Sequence, residues 1–384
     1  MSLILFLLVL SVLVLIHEAG HYFAARLFGV KADEFGYGFP PRIIGFVKDR
    51  GRWKKIGRKD NGTYPGTVWS INWLPLGGFV RIKGEQAGEE NGADSFHNKP
   101  IWQRIIILAA GVTMNWILAI ILFFIVFTAG ANTILEDLPP GSIVLDRGVR
   151  ITQVLVGSPA ERAGLMPNDV IVSVDGVVPK TYTEAQHAII VAGEREIPLE
   201  IERGGKTISI HATPTYIKDA DRIALGIAIA DIGRVRLPVD KAAKAAVVTT
   251  YRYSKTILFT FVDIFRDLFA RRGVSEDISG PVGIAVITGQ IAQQGIIPLL
   301  QFAAVLSINL AVINFLPIPA LDGGRVLFLA IEKLRRKPMN RTIEAAVHNI
   351  AFLFLIGLIL LVTIRDVSKF GGVIMDGAKG LVGM

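Results

Sequence analysis

The sequence predicts a polytopic α-helical membrane protein with about four spanning helices, a membrane-associated β-region and an α+β domain on the outer side. Three observations carry that prediction. The chain of 384 residues is 51% apolar with a mean hydropathy of +0.49, and its apolar residues gather in runs long enough to cross a bilayer. Its 41 basic residues outnumber 33 acidic ones, and they cluster beside those runs, where positive-inside bias puts them. Between the runs lie stretches of short alternating segments with turn residues, the pattern of strands.

Composition excludes several functions. The chain has no cysteine, which removes disulfides, thiol nucleophiles and Cys-ligated zinc. A net charge of +8 raises nucleic acid as a partner, but the basic residues flank apolar segments and are not interleaved with aromatics, so nucleic acid is excluded.

Residues 1–29 form the first span, an apolar run from Leu3 to about Phe28. Near its end stands Ile16-His17-Glu18-Ala19-Gly20-His21. Two histidines four apart lie on one helical face and can hold one metal ion. Glu18 follows the first of them and can act on water as a base. Ionisable groups at membrane depth are costly, which marks these three as functional. The run has no basic n-region and no small-residue cleavage site, so it reads as an uncleaved helix and not as a signal peptide. Lys31, Arg42, Lys48, Arg50, Arg52, Lys54, Lys55, Arg58 and Lys59 follow it, which puts the N-terminus outside and residue 30 onward in the cytoplasm.

Residues 30–103 read as a cytoplasmic-side, membrane-associated β-region. Thr67–Trp73 alternates, while Gly36–Pro41 and Leu74–Val80 hold glycines and prolines that exclude helix interior. Gly84 to Asn98 reads as a polar loop. The second span is 104–130, and its Asn115 either bonds a neighbouring helix or reaches the site of the histidines, with the packing role favoured. Residues 140–232 are the outer α+β domain, with a helix over Thr183–Ala192 and a hairpin turning at Gly204-Gly205. Residues 233–296 read as amphipathic interfacial linker helices, with a turn at Ser279–Gly283. The third span, 297–335, is interrupted by Asn314–Arg325, where Pro317 and Pro319 break the ladder. Broken backbone at that depth belongs where it is buried in protein or lines a cavity. Asp322 is the ionisable group there. A basic loop with Lys333, Arg335, Arg336, Lys337 and Arg341 precedes the fourth span, 344–364, and a tail, 365–384, ends outside. His97, His187 and His211 read as surface residues and His348 as interfacial.

Helix rise brings the two unusual sites to one level. His17 lies roughly 20 Å into span 1 and Asp322 roughly 35 Å into span 3, less after the proline kinks. Both fall in the cytoplasmic half of a core about 30 Å thick. Their meeting makes His17, His21 and Asp322 three zinc ligands with a fourth position open, the pattern of a catalytic site. A metal transporter would show internal repeats and ionisable groups along a path. An inactive membrane scaffold would show a broken His/Asp set. A structural zinc site would want four protein ligands.

Two resemblances sharpen this. Ser158-Pro159-Ala160-Glu161-Arg162-Ala163-Gly164-Leu165 with Asn168-Asp169-Val170-Ile171 resembles a PDZ domain, Asn168 standing where glycine is usual. That likeness makes Leu225, Gly226 and Ile227 the carboxylate-binding loop of a groove for an extended peptide or C-terminus. His17–His21, the PDZ phrase and Leu321-Asp322-Gly323, in that order, resemble the site-2 protease family of bacterial RseP-type intramembrane zinc metalloproteases (peptidase family M50). The resemblance implies zinc on His17, His21 and Asp322, Glu18 as the catalytic acid/base, and substrate contacts at Asn314, Pro317, Pro319, Gly77 and Gly78. It implies single-pass membrane proteins as substrates, anti-sigma factors or remnant signal peptides among them, and a place in the bacterial cytoplasmic membrane. The N-terminus, PDZ domain and C-terminus would be extracytoplasmic. One PDZ domain fits here, whereas some relatives carry two.

Overall fold

The computed structural model describes residues 2–58, 60, 62–85, 92–135, 141–217, 222–269, 280–337 and 339–382. The chain forms two units, Met1–Phe124 with Ala243–Met384, and Ile125–Ala242.

The first unit begins with α1 (Ser2–Leu27), whose buried positions include Phe6, Val9, Leu13, His17, His21 and Ala25. Steps of three and four place these on one stripe. After it come β1 (Ala32–Asp49), β2 (Arg52–Ile56) and β3 (Val68–Ile82), in sheet order β2-β1-β3. β1 doubles back near its prolines, so Trp69 pairs with both Phe35 and Phe46, while Phe35 pairs onward with Val80. The end of β3 thereby becomes an edge of the sheet. Trp53, Trp69, Ile71, Trp73 and Leu74 are exposed on this sheet, the surface expected of a β-region set against lipid. Glu34 is buried beneath it and accepts from Arg42 Nη2 at 2.7 Å and Nε at 3.0 Å. Burial pushes its carboxyl up, but the Arg42 guanidinium and the Ser70 hydroxyl outweigh burial and hold it below the usual carboxylate range.

α2 (Ile101–Ala129) crosses α1 at close range. A Cβ on Gly20 would lie 2.3 Å from the Ala110 carbonyl oxygen, so glycine sets that distance. The polar loop ahead of α2 is only partly within the described residues, which omit 86–91. Its described end is packed, with Ser95 and Phe96 buried.

The second unit carries β4 (Ala131–Ile134), β5 (Ile143–Val154), α3 (Pro159–Arg162), β6 (Val170–Val174), α4 (Tyr182–Ala192), β7 (Ile197–Arg203), β8 (Lys206–Ala212), β9 (Thr215–Ile217), β10 (Arg222–Ala224) and β11 (Ile227–Arg236). A sheet ordered β4-β11-β5-β6-β7-β8 covers a core with Ile151, Ile171, Ile189, Ile197, Leu199, Ile201 and Leu225. Asn168 sits at φ +75°, which explains both the usual glycine and the tolerance for asparagine. Asp169 accepts two bonds from Arg203, each at 2.7 Å. The domain is larger than 140–232, because β4 pairs with β11 through Val235.

The chain returns to the first unit along α5 (Val239–Phe269). Lys241, Lys244, Arg252, Lys255 and Arg266 interrupt its apolar residues, and it is not among the helices able to span. Of the turn expected at 279–283, Ser279 lies outside the described residues, and 280–283 are instead the cap and start of a helix, α6 (Pro281–Gln293), with Pro281 at its first position. The third span resolves into α7 (Ile296–Phe315), a break over 316–321, and α8 (Asp322–Arg335). The last helix, α9 (Arg341–Val382), runs well past the expected end at 364. The expected tail therefore continues this helix, and Asp366 is buried, accepting from Gly280 and Gly283 N–H at 3.1 and 2.7 Å. Ser2–Leu27, Ile101–Ala129, Ile296–Phe315 and Thr342–Ser368 are long and apolar enough to cross a membrane.

Candidate metal centre

Three segments distant in sequence converge. Nε2 of His17 lies 3.0 Å from Asp322 Oδ2, Nε2 of His21 lies 3.2 Å from the same oxygen, and the two nitrogens are 3.1 Å apart. The histidines come from one face of α1. Asp322 is the first residue of α8, brought in by the break after α7. Gly323 and Gly324 let α8 start against that break, since a Cβ on either would lie 2.3 Å from a loop carbonyl oxygen. Both histidines are buried.

The donor set fits a zinc ion. Three ligand atoms about 3 Å apart make one face of a small tetrahedron. His21 Nδ1 lies 2.8 Å from the Ile107 carbonyl oxygen. That acceptor holds the proton on Nδ1 and leaves the Nε2 lone pair facing the other ligands. His17 Nδ1 faces the side-chain amide of buried Asn115 at 3.3 Å. The atom at that distance is the amide nitrogen, and Asn115 Oδ1 is buried without a partner among the described residues; a His17 that ligates through Nε2 carries its proton on Nδ1, which requires the amide turned over so that its oxygen accepts. Of the two roles open to Asn115, it takes both: its side chain reaches the centre, and its main-chain carbonyl accepts from the Ser307 hydroxyl of α7 at 2.8 Å. Among the described residues, these three are the metal-capable group of histidine and acidic side chains.

Glu18 stands beside the ligands without being one of them. It is half-buried, and its Oε2 accepts from the Val80 N–H at 2.9 Å. The edge of β3 is thus turned toward the carboxylate. Ser11, further up α1, bonds Gly77 N–H and the Pro75 carbonyl at 3.4 Å.

One residue that shapes the site escapes motif reading. A Cβ on Gly111 of α2 would lie 2.4 Å from His21 Nε2 and 2.8 Å from His17 Cε1. Gly111 therefore makes room for both rings. Its only signal in the sequence is the small run Ala109-Ala110-Gly111 within a bulky span.

The profile of Peptidase family M50 matches residues 5–358, a stretch that contains every one of these side chains. The chain belongs to peptidase family M50. It is 30% identical to the Regulator of sigma-W protease RasP of Bacillus subtilis, over 96% of this chain and 98% of that protein. It is equally 30% identical to the Zinc metalloprotease RasP of Geobacillus kaustophilus, with the same coverage. The PDZ domain of an SdrC-like protein from Listeria innocua aligns with 21% of this chain and 92% of its own, at 25% identity and a TM-score of 0.20. This M50 chain is a membrane-embedded zinc metalloprotease.

The other residues singled out in the M50 chain lie as follows. Asn314 is half-buried in the last turn of α7, Pro317 is exposed in the break and Pro319 half-buried there. Gly77 and Gly78 are buried, and a Cβ on them would meet Val14 at 3.1 Å and Leu15 at 2.8 Å, so they let β3 lie directly on α1. In the second unit, the Leu225 side chain belongs to the core. Gly226 has φ +79° and accepts from Leu155 N–H at 2.9 Å, and Ile227 opens β11. His187 and His211 are exposed, whereas His97 is half-buried and lies 3.4 Å from Arg104 Nη2.

Proposed function

We propose that this M50 protease cuts peptide bonds within or beside the transmembrane segment of single-pass membrane proteins, with His17, His21 and Asp322 holding zinc and Glu18 moving the proton. The observation that carries this reading is the convergence of three ligand atoms from α1 and α8 beside a carboxylate that is left free. A bound zinc supplies Lewis-acid polarisation of the scissile carbonyl and a water acidic enough to lose its proton near neutral pH. Glu18 takes that proton on its carboxylate and returns it to the leaving amine, worth about 10²–10⁴-fold in rate. Three protein ligands with a free glutamate match a catalytic site, not a structural one.

A transmembrane helix hides its carbonyls, so the substrate is unwound before it is cut. The β-region over 67–83 holds the unwound strand by strand addition, with Asn314, Pro317, Pro319, Gly77 and Gly78 along its path. The edge of β3 at Val80, turned toward Glu18, supports this. Charge bias supports a bacterial cytoplasmic membrane with the N-terminus, the second unit and the C-terminus outside. The Bacillus relative is named Regulator of sigma-W protease; the substrate class proposed here from the family resemblance is an anti-sigma factor or a remnant signal peptide. In the second unit, the proposed carboxylate-binding loop for a peptide or C-terminus is the main chain of Leu225, Gly226 and Ile227.

Glu18→Gln tests the assignment. Purified protein should keep its zinc while cleavage of a membrane-embedded single-pass substrate falls by at least about 100-fold. Cleavage at the native rate would sink the mechanism.

A further inference from the structure

We infer that His348, on α9, is a positioning residue that holds the loop delivering the metal ligand Asp322; this rests on the zinc reading above. The argument begins with the backbone of the break. Every buried N–H needs a partner. Leu316 N–H bonds Ile313, Ile318 N–H bonds Leu316, and Leu321 N–H bonds Ile318. Pro317 and Pro319 have no N–H. The remaining donor is Ala320, two residues before Asp322. It finds no acceptor in the break and donates instead to His348 Nδ1 at 2.8 Å.

Ala320 also needs holding. Its φ is +78°, a conformation that a residue with a Cβ adopts only when its surroundings fix it. Because Nδ1 accepts, the His348 proton sits on Nε2, a buried atom without a hydrogen-bond partner among the described residues. The ring is seated against Phe328 of α8, centroids 5.4 Å apart. One imidazole thus touches the loop at Ala320 and the helix at Phe328, on both sides of Asp322. It lines a cavity of about 370 Å³ shared with Arg104, Arg325 and Asn349. In the sequence His348 reads as interfacial because its partner is a main-chain group, which no side-chain motif records.

The test compares His348→Asn, His348→Phe and His348→Ala in the purified full-length protein in detergent. Asparagine Oδ1 takes the place of Nδ1 as acceptor, and phenylalanine keeps the ring without the acceptor. Zinc retained against a chelator at fixed free zinc is read by atomic absorption, and cleavage is read separately at saturating zinc. His348→Ala and His348→Phe should lose zinc at about tenfold lower chelator, and His348→Asn should retain it close to native. If His348→Ala does not fold, the Asn and Phe variants decide alone. Phe retaining zinc better than Asn, or all three matching native, overturns the inference. Native protein that binds no zinc, or Asp322→Ala that binds as tightly as native, would instead strike the metal reading itself.

Discussion

Gly111→Ala adds a single methyl to α2 at the point where the two imidazoles need space. The new Cβ would stand 2.4 Å from His21 Nε2, 2.7 Å from His21 Cε1 and 2.8 Å from His17 Cε1. An ordinary contact between such atoms is about 3.5 Å, so the His21 ring must retreat by roughly 1 Å. Zinc sites hold their ligand distances to about 0.2 Å. His21 cannot retreat freely, because its Nδ1 is tied to the Ile107 carbonyl at 2.8 Å. We expect zinc affinity to fall by about 10- to 100-fold, near 1.4–2.8 kcal/mol, with overpacking removing about 1–3 kcal/mol of stability. The assay titrates chelator against purified protein and reads bound zinc, with the melting midpoint followed in parallel and measurements taken where both proteins are folded. Gly357→Ala is the control, since nothing lies within 4 Å of a Cβ there. Gly111→Ala holding zinc at native chelator concentrations would refute the claim that the glycine makes room for the ligands.

Two further outcomes are expected. Asn115→Leu should weaken zinc about tenfold by removing the group that faces His17 Nδ1, while Asn115→Asp, which still offers an acceptor there, should keep it; equal losses in both would remove Asn115 from the site. Glu34→Gln should lower thermal stability at pH 7 by about 1–3 kcal/mol, since it leaves Arg42 short of its charged partner. Glu34 has its folded pKa held below the ordinary value, so its contribution is present above the unfolded pKa and lost as pH falls through the folded one. The gap between native and Gln variant should therefore close as pH is lowered below about 4, and a gap that widens on acidification would contradict the ion pair.

The ligands were legible because three independent regularities marked them: the four-residue spacing of His17 and His21, their depth in an apolar run, and the proline-broken stretch that carries Asp322. Each is a local pattern. Asn115 is legible only as one of two alternatives, and Gly111 and the acceptor role of His348 are not legible at all. They depend on the rotation and depth at which α2 and α9 meet α1 and the break, and helical period alone does not encode that. The start of α6 is misread for a different reason. Gly280-Pro281-Val282-Gly283 reads as a turn, yet proline at a first helical position is also a start signal. The end of α9 was misplaced because Arg365 and Asp366 look like the water boundary. Asp366 is instead buried, accepting from two backbone N–H groups of the α6 start.

Small residues decide how the centre is assembled. Helices in lipid have no hydrophobic drive toward one another, and close packing supplies much of their association. Gly20 brings α1 onto the Ala110 carbonyl, and Gly323 and Gly324 bring α8 onto the carbonyls of the break. In these three places the atom met by a Cβ is backbone. Gly111 differs, because the atoms it would meet are the ligand rings themselves. The first group sets how near the segments stand, which fixes whether short side chains such as His and Asp can reach one point. Gly111 then leaves that point clear. Distance and clearance are separate requirements, and a pattern of two histidines, a glutamate and an aspartate meets neither until the glycines between them do.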